Sequence, residues 1–560
     1  MKIIIAQQNY HIGNFESNTG KIIDAIQSAK NNNADLVVFS EMSICGYPAR
    51  DFLDFNDFIN KCYKSIDIVK EHADTIGVIV GSPDRNPARE GKNLFNAAFF
   101  LYEKEIKNIV HKTCLPTYDV FDEYRYFEPA FNWDVIRFKG KKIALTICED
   151  IWNLGDNPLY RICPMDILMP QQPDLMINIS ASPFDYTHIE DRKAIIKANV
   201  LKYKLPLIYC NAVGSQTEIV FDGASLVFDK DANLCLQLPQ FKEEITEVTL
   251  NDDGTIDASI VEPAIAMPNE LPDPLLYTPG LNISQVYEAV ILGISDYFRK
   301  MGFTRAIIGS SGGIDSAVTL ALACKALGKE NVRAILMPSE FSTAHSVNDA
   351  EKLSKHLGNP YDIISIKNIY TQFIKELEPF FKDLPFNVAE ENIQSRTRGN
   401  LLMALANKFG YILLNTSNKS ELATGYGTLY GDMAGGLGVI GDCYKTQVYE
   451  LAKFINSDKE IIPEHIILKA PSAELRHEQK DIDSLPEYDI LDKILYQYIE
   501  RVQGPAEIKS KGFDAALVDR ILSMVNKNEY KRNQFCPIIR VSPKAFGVGR
   551  RVPIVANYLG

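Results

Sequence analysis

The sequence predicts an α/β protein of two domains, and three observations carry that expectation. Short apolar runs alternate with amphipathic segments in both halves of the chain. The alternation stops over residues 251–280, NDDGTIDASIVEPAIAMPNELPDPLLYTPG, which are rich in Pro and Asp and hold no period. The chain is also 560 residues long, more than one hydrophobic core organises.

In the first half, KIIIAQ (2–7), ADLVVFSE (34–41), TIGVIVGS (75–82), NAAFFLY (96–102), KKIALTIC (141–148), DLMINIS (174–180) and LPLIYCN (205–211) read as buried strands. Helix-period segments at 16–31, 57–72 and 188–203 separate several of them, and 96–112 and 223–238 read as hairpins. After the break the order is helix 282–300, strand 304–309, helix 315–327, strand 332–338, helix 346–357, strand 361–366, helix 389–409 and strand 411–416, a doubly wound parallel pattern. The expected domains are therefore 1–250 and 281–560, with a linker over 251–280.

Apolar content of 46% and charged content of 23% are those of an ordinary globular protein. A net charge of -13 argues against nucleic acid or an anionic membrane as the main partner. The ten cysteines form no CxxC pair and there are only eight histidines, which argues against a structural zinc or a disulfide framework. The apolar part of MKIIIAQQNYHIG is too short for a signal peptide, and no stretch approaches the ~20 apolar residues of a membrane span. A cytoplasmic protein with no membrane partner is expected.

The stretch IIGSSGGIDS (307–316) resembles a phosphate loop without the Gly-Lys-Ser/Thr ending of the common P-loop. Gly312 and Gly313 let backbone approach a ligand, the following helix offers N–H groups and a favourable dipole, and Ser311 and Ser316 add hydroxyls. A loop without the lysine suits reaction at the α-phosphorus of ATP, with pyrophosphate leaving and Asp315 as a magnesium ligand. The plainer reading is a Gly-Gly turn with Ser310 and Ser311 as helix caps. The full pattern between a strand and a helix favours phosphate.

Ser311–Ser316 resembles the SGGxDS signature of the ATP pyrophosphatases, which adenylate a substrate. The stretches EENIQSRTRGNLLMALAN (390–407), LLNTSNKSELATGYGTLYGDMAGG (413–436), KAPSAEL (469–475) and EYKRNQFCP (529–537) resemble the synthetase domain of NAD synthetases. That resemblance implies ATP contacts from Gly309, Ser310, Ser311, Gly312, Gly313, Ile314, Asp315, Ser316 and Thr416. It implies deamido-NAD contacts from Asn392, Arg396, Glu421 and Lys531, and magnesium held by Asp315 and Glu421. Leu429 stands where the ammonia-using branch has a lysine, and Tyr530 where it has a histidine, so that branch fits less well.

Turning a carboxylate into an amide needs an activated acid, which adenylation supplies, and an unprotonated amine. Ammonia at neutral pH is mostly ammonium, so a second site that releases it is expected in residues 1–250. Glu41, Lys112 and Cys148 each stand at or near the end of an expected strand, where rigid elements deliver catalytic groups. Cys148 can attack an amide carbonyl, Glu41 can take its proton and Lys112 can stabilise an oxyanion. Each alone could be an ordinary strand-end residue. The surrounding stretches FSEMSICGYP (39–48), HKTCLPTYDVFDEYRYF (111–127), ICEDIW (147–152) and NISASPF (178–184) resemble the nitrilase superfamily, and most closely the glutaminase domain fused to NAD synthetase. The resemblance implies an α-β-β-α sandwich and a Glu, Lys, Cys triad. It also implies glutamine held by Tyr118, Glu149, Ser182 and His188, with Glu123 as a second acid, although some relatives carry Arg where His188 stands.

The expected activity is glutamine-dependent amidation of deamido-NAD to NAD, with ATP as co-substrate and Mg2+ as cofactor, in a homo-oligomer by resemblance. The rivals are another glutamine-dependent ATP-pyrophosphatase amidotransferase and a non-catalytic nucleotide-binding protein. Lys2 at the position where glutamine-using asparagine synthetases need Cys weighs against one of the former.

Overall fold

The first apolar run, KIIIAQ, is strand β1 (Lys2–Gln7), and its side chains part to two interiors. Ile3 and Ile5 pack between two sheets, whereas Ile4 and Ala6 pack under the helices Phe15–Asn31 and Asn56–Glu71. The same period of two repeats along β2 (Leu36–Phe39), β3 (Gly77–Arg85) and β4 (Leu94–Tyr102), whereas the edge strand β5 (Glu105–His111) is largely exposed and packs only Val110 between the sheets. The computed structural model describes residues 1–154, 158–258, 282–476, 479, 481 and 485–559. These fold as two units, one on each side of residues 259–281.

The remaining strands of the first unit are β6 (Ile136–Phe138), β7 (Lys141–Ile147), β8 (Leu175–Ser180), β9 (Leu207–Asn211), β10 (Val213–Gln216), β11 (Ile219–Asp222), β12 (Leu226–Phe228), β13 (Leu234–Gln237), β14 (Glu244–Leu250) and β15 (Ile256–Ala258). One sheet has the order β15-β14-β1-β2-β3-β4-β5 and the other β13-β12-β9-β8-β7-β6, while β10 and β11 form a separate hairpin. The outer face of the second sheet packs Ala144, Met176 and Tyr209 against Ile196 and Val200 of the helix His188–Tyr203. Helix, sheet, sheet and helix make four layers, the expected sandwich.

The sheet runs further than expected. Residues 251–258, read as the start of a linker, contain a reversal at Gly254, whose φ is +82°, and then β15, which pairs with β14. Three residues are too few for a periodic signal. Residues 259–280 of the expected linker lie outside the described residues.

In the second unit β16 (Ala306–Gly309), β17 (Val332–Leu336), β18 (Tyr361–Ile363), β19 (Ile412–Asn415) and β20 (Leu437–Gly438) form a parallel sheet of order β18-β17-β16-β19-β20. The chain leaves β16 to one side for β17 and β18, then returns to its other side at β19. The end of β16 is thus the point where the winding reverses, the usual place for a ligand in such sheets. The run expected as strand to residue 366 stops at Ile363, and the helix Lys367–Phe381 follows. Among the described residues no helix is long and apolar enough to cross a membrane.

Gly81 of β3 has no room for a side chain. A Cβ there would stand 2.2 Å from Met42 N and 2.9 Å from Glu41 Cα. Gly81→Ala should therefore lower the unfolding free energy of the first unit by about 1–3 kcal/mol. Both tryptophans, Trp133 and Trp152, lie in that unit, so denaturant titration followed by their fluorescence reads it directly. An unchanged midpoint would show that the strand end can move aside.

Candidate active sites

Strands β2 and β5 run in the same direction, because two antiparallel pairings separate β3 from β5 and β2 is parallel to β3. They deliver Glu41 and Lys112 at one end of the sheet. Lys112 is wholly buried, and its Nζ donates to Glu41 Oε1 and to Glu123 Oε1, both at 2.8 Å. Glu123 comes from the turn Glu123–Arg125. Asn96 of β4 donates to Glu41 Oε1 at 2.6 Å and to Glu123 Oε2 at 3.3 Å, and Tyr47 donates to Glu123 Oε1 at 2.9 Å. The Ala181 N–H donates to the other oxygen of Glu41 at 2.9 Å.

Two carboxylates share one ammonium in a dry site. Burial alone would pull the Lys112 ammonium down, but Glu123 and Glu41 beside it outweigh that and hold it well above its ordinary value. Burial pushes the Glu123 carboxyl up to about 7 against the pull of Lys112, with Glu41 adding to the push.

Cys148 follows β7 directly and begins the turn Cys148–Ile151 with φ at +44°, a left-handed backbone that non-glycine residues avoid. Its thiol is raised well above the ordinary value, first by burial and next by Glu41, while Lys112 opposes the rise. The thiol therefore needs a base to ionise it. Glu41, Lys112, Glu123 and Cys148 meet electrostatically at one place.

The four residues expected to hold glutamine form two pairs. Tyr118 donates to both oxygens of Glu149 at 3.0 Å, and Tyr160 donates to Glu149 Oε1 at 3.2 Å. Burial raises the Glu149 carboxyl, and Lys112 partly offsets this. Ser182 Oγ lies 3.0 Å from His188 Nε2, and the His188 ring stacks on Trp152 with centroids 5.0 Å apart. Arg192 donates to Ser182 Oγ at 3.4 Å and makes a two-pronged pair with Asp222 at 2.9 and 3.0 Å, with both side chains buried.

In the second unit a cavity of about 280 Å³ opens where β16, β17 and β19 end. Gly309–Ser311 and Gly313–Ser316 line it, as do Thr416 and Glu421. Gly312 has φ +81°, and a Cβ there would stand 2.2 Å from Ser346 O, so the turn requires glycine. Ser311 Oγ accepts from Gly313 N at 3.2 Å, and Ser316 Oγ accepts from Ser311 N at 3.3 Å and donates to Gly313 O at 3.0 Å. The two serines thus brace the loop before the helix Ile314–Leu327 as well as line the cavity, and the helix itself has Gly313 at its N-cap with no side-chain cap. Ser310 donates its N–H to Ile335 O at 2.9 Å, and its hydroxyl oxygen is buried without a hydrogen-bond partner.

Asp315 accepts from Asn418 at 2.9 Å and pairs with Lys445, which burial would pull down but Asp315 and Glu421 raise. Glu421 caps the helix Lys419–Thr424, accepting from Asn418 N at 3.1 Å. Burial raises its carboxyl well above the ordinary value, and Asp315 adds to the rise.

Asn392, Arg396 and Lys531 gather around the loop 425–429. Asn392 Oδ1 accepts from Thr428 at 2.7 Å, Arg396 donates to Leu429 O at 3.2 Å, and Lys531 donates to Gly425 O and Gly427 O at 2.8 and 2.9 Å. Leu429 packs against the helical core beside that loop, and Tyr530 is 45% exposed.

Known proteins match both halves. A carbon-nitrogen hydrolase family model matches residues 2–258, and an NAD synthase family model matches residues 286–535. The glutamine-dependent NAD(+) synthetase of Synechocystis sp. is 41% identical over 99% of both chains, and that of Thermotoga maritima is 39% identical over 100% of this chain and 99% of its own. The chain belongs to the glutamine-dependent NAD(+) synthetases. Among solved members of this family, the enzyme from Acinetobacter baumannii, in complex with adenosine diphosphate, aligns with a TM-score of 0.77 at 36% identity over 99% of this chain and 98% of its own. The Cytophaga hutchinsonii enzyme aligns at 0.81 with 19% identity over 99% and 98%, a likeness of fold.

Several groups in this synthetase escaped the reading of its sequence. Asn96 is a polar residue inside the apolar run LFNAAFFL, a signal that was there to be used. Arg192, Lys445 and Asp481 sit in unremarkable local sequence, and distant partners give them their places. Asp150 lies inside the stretch ICEDIW, but its partners beside Lys112 are 36 and 37 residues away.

The raised Glu123 carboxyl has a consequence for stability. Its ordinary value is 4.5 and its folded value is about 7, so the folded synthetase holds a proton there that the unfolded chain releases. The stability from this group is full below pH 4.5 and is lost as the pH rises to about 7. Glu123→Gln removes that loss, so the wild type should weaken relative to the variant between pH 4.5 and 7. Tryptophan-monitored unfolding at several pH values measures the difference, and a constant difference would contradict the assignment.

Proposed function

We propose that this chain forms NAD by ATP-dependent amidation of deamido-NAD, with glutamine as nitrogen donor and AMP, pyrophosphate and glutamate as the other products. One observation carries the reading. A thiol, a carboxylate and a buried ammonium converge in one unit, and a phosphate-type loop opens a cavity in the other, on a chain of this family.

In the first unit Glu41 takes the proton of Cys148, and the sulfur bonds to the side-chain amide carbon of glutamine. The Lys112 ammonium stabilises the oxyanion. Ammonia leaves with the proton returned by Glu41, and a thioester remains. Glu41 then deprotonates a water that attacks the thioester carbon, the C–S bond breaks to release glutamate, and the Cys148 sulfur takes the proton back from Glu41. Glu123 keeps Lys112 oriented and, with Glu41, keeps it charged. Tyr118, Glu149, Ser182 and His188 hold the substrate's polar groups. Ammonia passes to the second site without mixing with bulk ammonium.

In the second unit the loop Gly309–Ser316 grips the β- and γ-phosphates of ATP, and Thr416 contacts the nucleotide. The nicotinate carboxylate attacks the α-phosphorus, pyrophosphate leaves, and ammonia then displaces AMP from the acyl adenylate. Asn392, Arg396, Glu421 and Lys531 hold deamido-NAD around the loop 425–429. The residues fit a magnesium ion: Asp315 and Glu421 are hard oxygen donors on one cavity, and the charge by which Asp315 adds to the rise of the Glu421 carboxyl is what a divalent cation relieves. Among the described residues no group of three or more His, Cys, Asp or Glu is arranged as a metal site, so phosphate oxygens and water would complete the shell. Magnesium there would neutralise charge on the departing pyrophosphate. A homo-oligomer and a reducing, cytoplasmic setting belong to the same proposal, the latter because the thiol must stay reduced.

Assays with purified chain, ATP, deamido-NAD and either glutamine or ammonium test the reading. Cys148→Ala should lose more than about 10³-fold with glutamine and keep its activity with ammonium. If activity with glutamine survives, the thiol is not the nucleophile. Asp315→Ala should lose both activities, and normal synthesis would remove its role beside the phosphates.

A further inference from the structure

Asp150 stands two residues past the thiol and is 2% exposed. Its carboxylate accepts three main-chain hydrogen bonds. Oδ2 accepts from Ile147 N at 3.0 Å, which is the local cap of the turn that carries Cys148. Oδ1 accepts from Thr113 N at 2.9 Å and Cys114 N at 2.8 Å. Those two donors lie on a different strand end, directly after Lys112. A residue serving only as a cap needs the first bond and not the other two.

The Lys112 segment is itself anchored. Lys112 N donates to Asn96 O at 2.8 Å, and Lys112 O accepts from Ala130 N at 3.0 Å. The Cys148 turn has a left-handed residue at its start, a conformation that costs on the order of 1–3 kcal/mol and persists only when its surroundings hold it. Asp150 joins the strained turn to the anchored segment. Only a carboxylate can do this. It offers acceptor oxygens in both directions, whereas an asparagine would turn its amide hydrogens against one set of N–H groups.

We propose that Asp150 is a positioning residue of the amide-hydrolysing site, fixing the Cys148 thiol relative to the Lys112 ammonium by clasping the backbone beside each. This rests on the function proposed above. The substrate-holding Glu149 has its own anchors in Tyr118 and Tyr160, so loss of the clasp should misplace the thiol while leaving the substrate contacts in place.

Asp150→Asn in the full chain tests the idea. With glutamine, kcat should fall about 10- to 100-fold, the effect of a reacting atom displaced by about an ångström. The KM for glutamine should stay within about threefold, ammonium-driven synthesis should persist, and alkylation of Cys148 by iodoacetamide should slow. A kcat within twofold of the wild type would overturn the proposal. So would a loss appearing wholly in KM, which would mean action through Glu149, or a parallel loss of ammonium-driven synthesis, which would mean collapse of the fold. Cys148→Ala in the same assay separates the two layers: if it hydrolyses glutamine, the proposed function fails, whatever Asp150 does.

Discussion

One buried ammonium shared by two carboxylates governs the first unit. Lys112 is out of water, and a charge there is tolerated only because Glu41 and Glu123 both accept its hydrogen bonds at 2.8 Å. Removing one partner of such a cluster typically costs about 3–5 kcal/mol, so its geometry is held firmly. The consequence is chemical. In the proposed reaction this keeps the cation charged where the oxyanion would form and leaves Glu41 to act as the base on the thiol. The end of β2, the start of β4 and the end of β5 therefore meet at one edge of the sheet, where Gly81 leaves no room for a side chain beside the Glu41 backbone.

The second unit repeats the motif with different purpose. Lys445 lies against Asp315 and near Glu421, again a buried ammonium held charged by two acids. Here the surplus negative charge faces the cavity at the point where the parallel sheet reverses its winding. The loop after β16 brings glycine backbone and helix N–H groups to the same place. An anion at the loop and hard carboxylates beside it are complementary demands, and both follow from where β16 ends.

Much of this was legible in the sequence because strands declare themselves by period and their ends declare where side chains are delivered. Glu41, Lys112 and Cys148 were readable individually as strand-end residues, and the SGGxDS stretch as a strand-to-helix loop. The sandwich followed from likeness to known families, since no local signal says that two sheets face each other. What stayed hidden depends on contacts distant in sequence. Lys445 reaches Asp315 across 130 residues, and Asp150 reaches Cys114 across 36. β15 and β20 are too short to carry a period, and the run YDIISI reads as a longer strand than its neighbours in space allow.

The central claim is that nitrogen released at the thiol is the nitrogen that enters the dinucleotide. Amide-15N glutamine, supplied with ATP and deamido-NAD in the presence of excess unlabelled ammonium, decides this by mass spectrometry of the product. NAD carrying 15N in its carboxamide well above the ratio of labelled to bulk nitrogen is the predicted result. NAD labelled only at the bulk ratio, or no NAD at all, would contradict it.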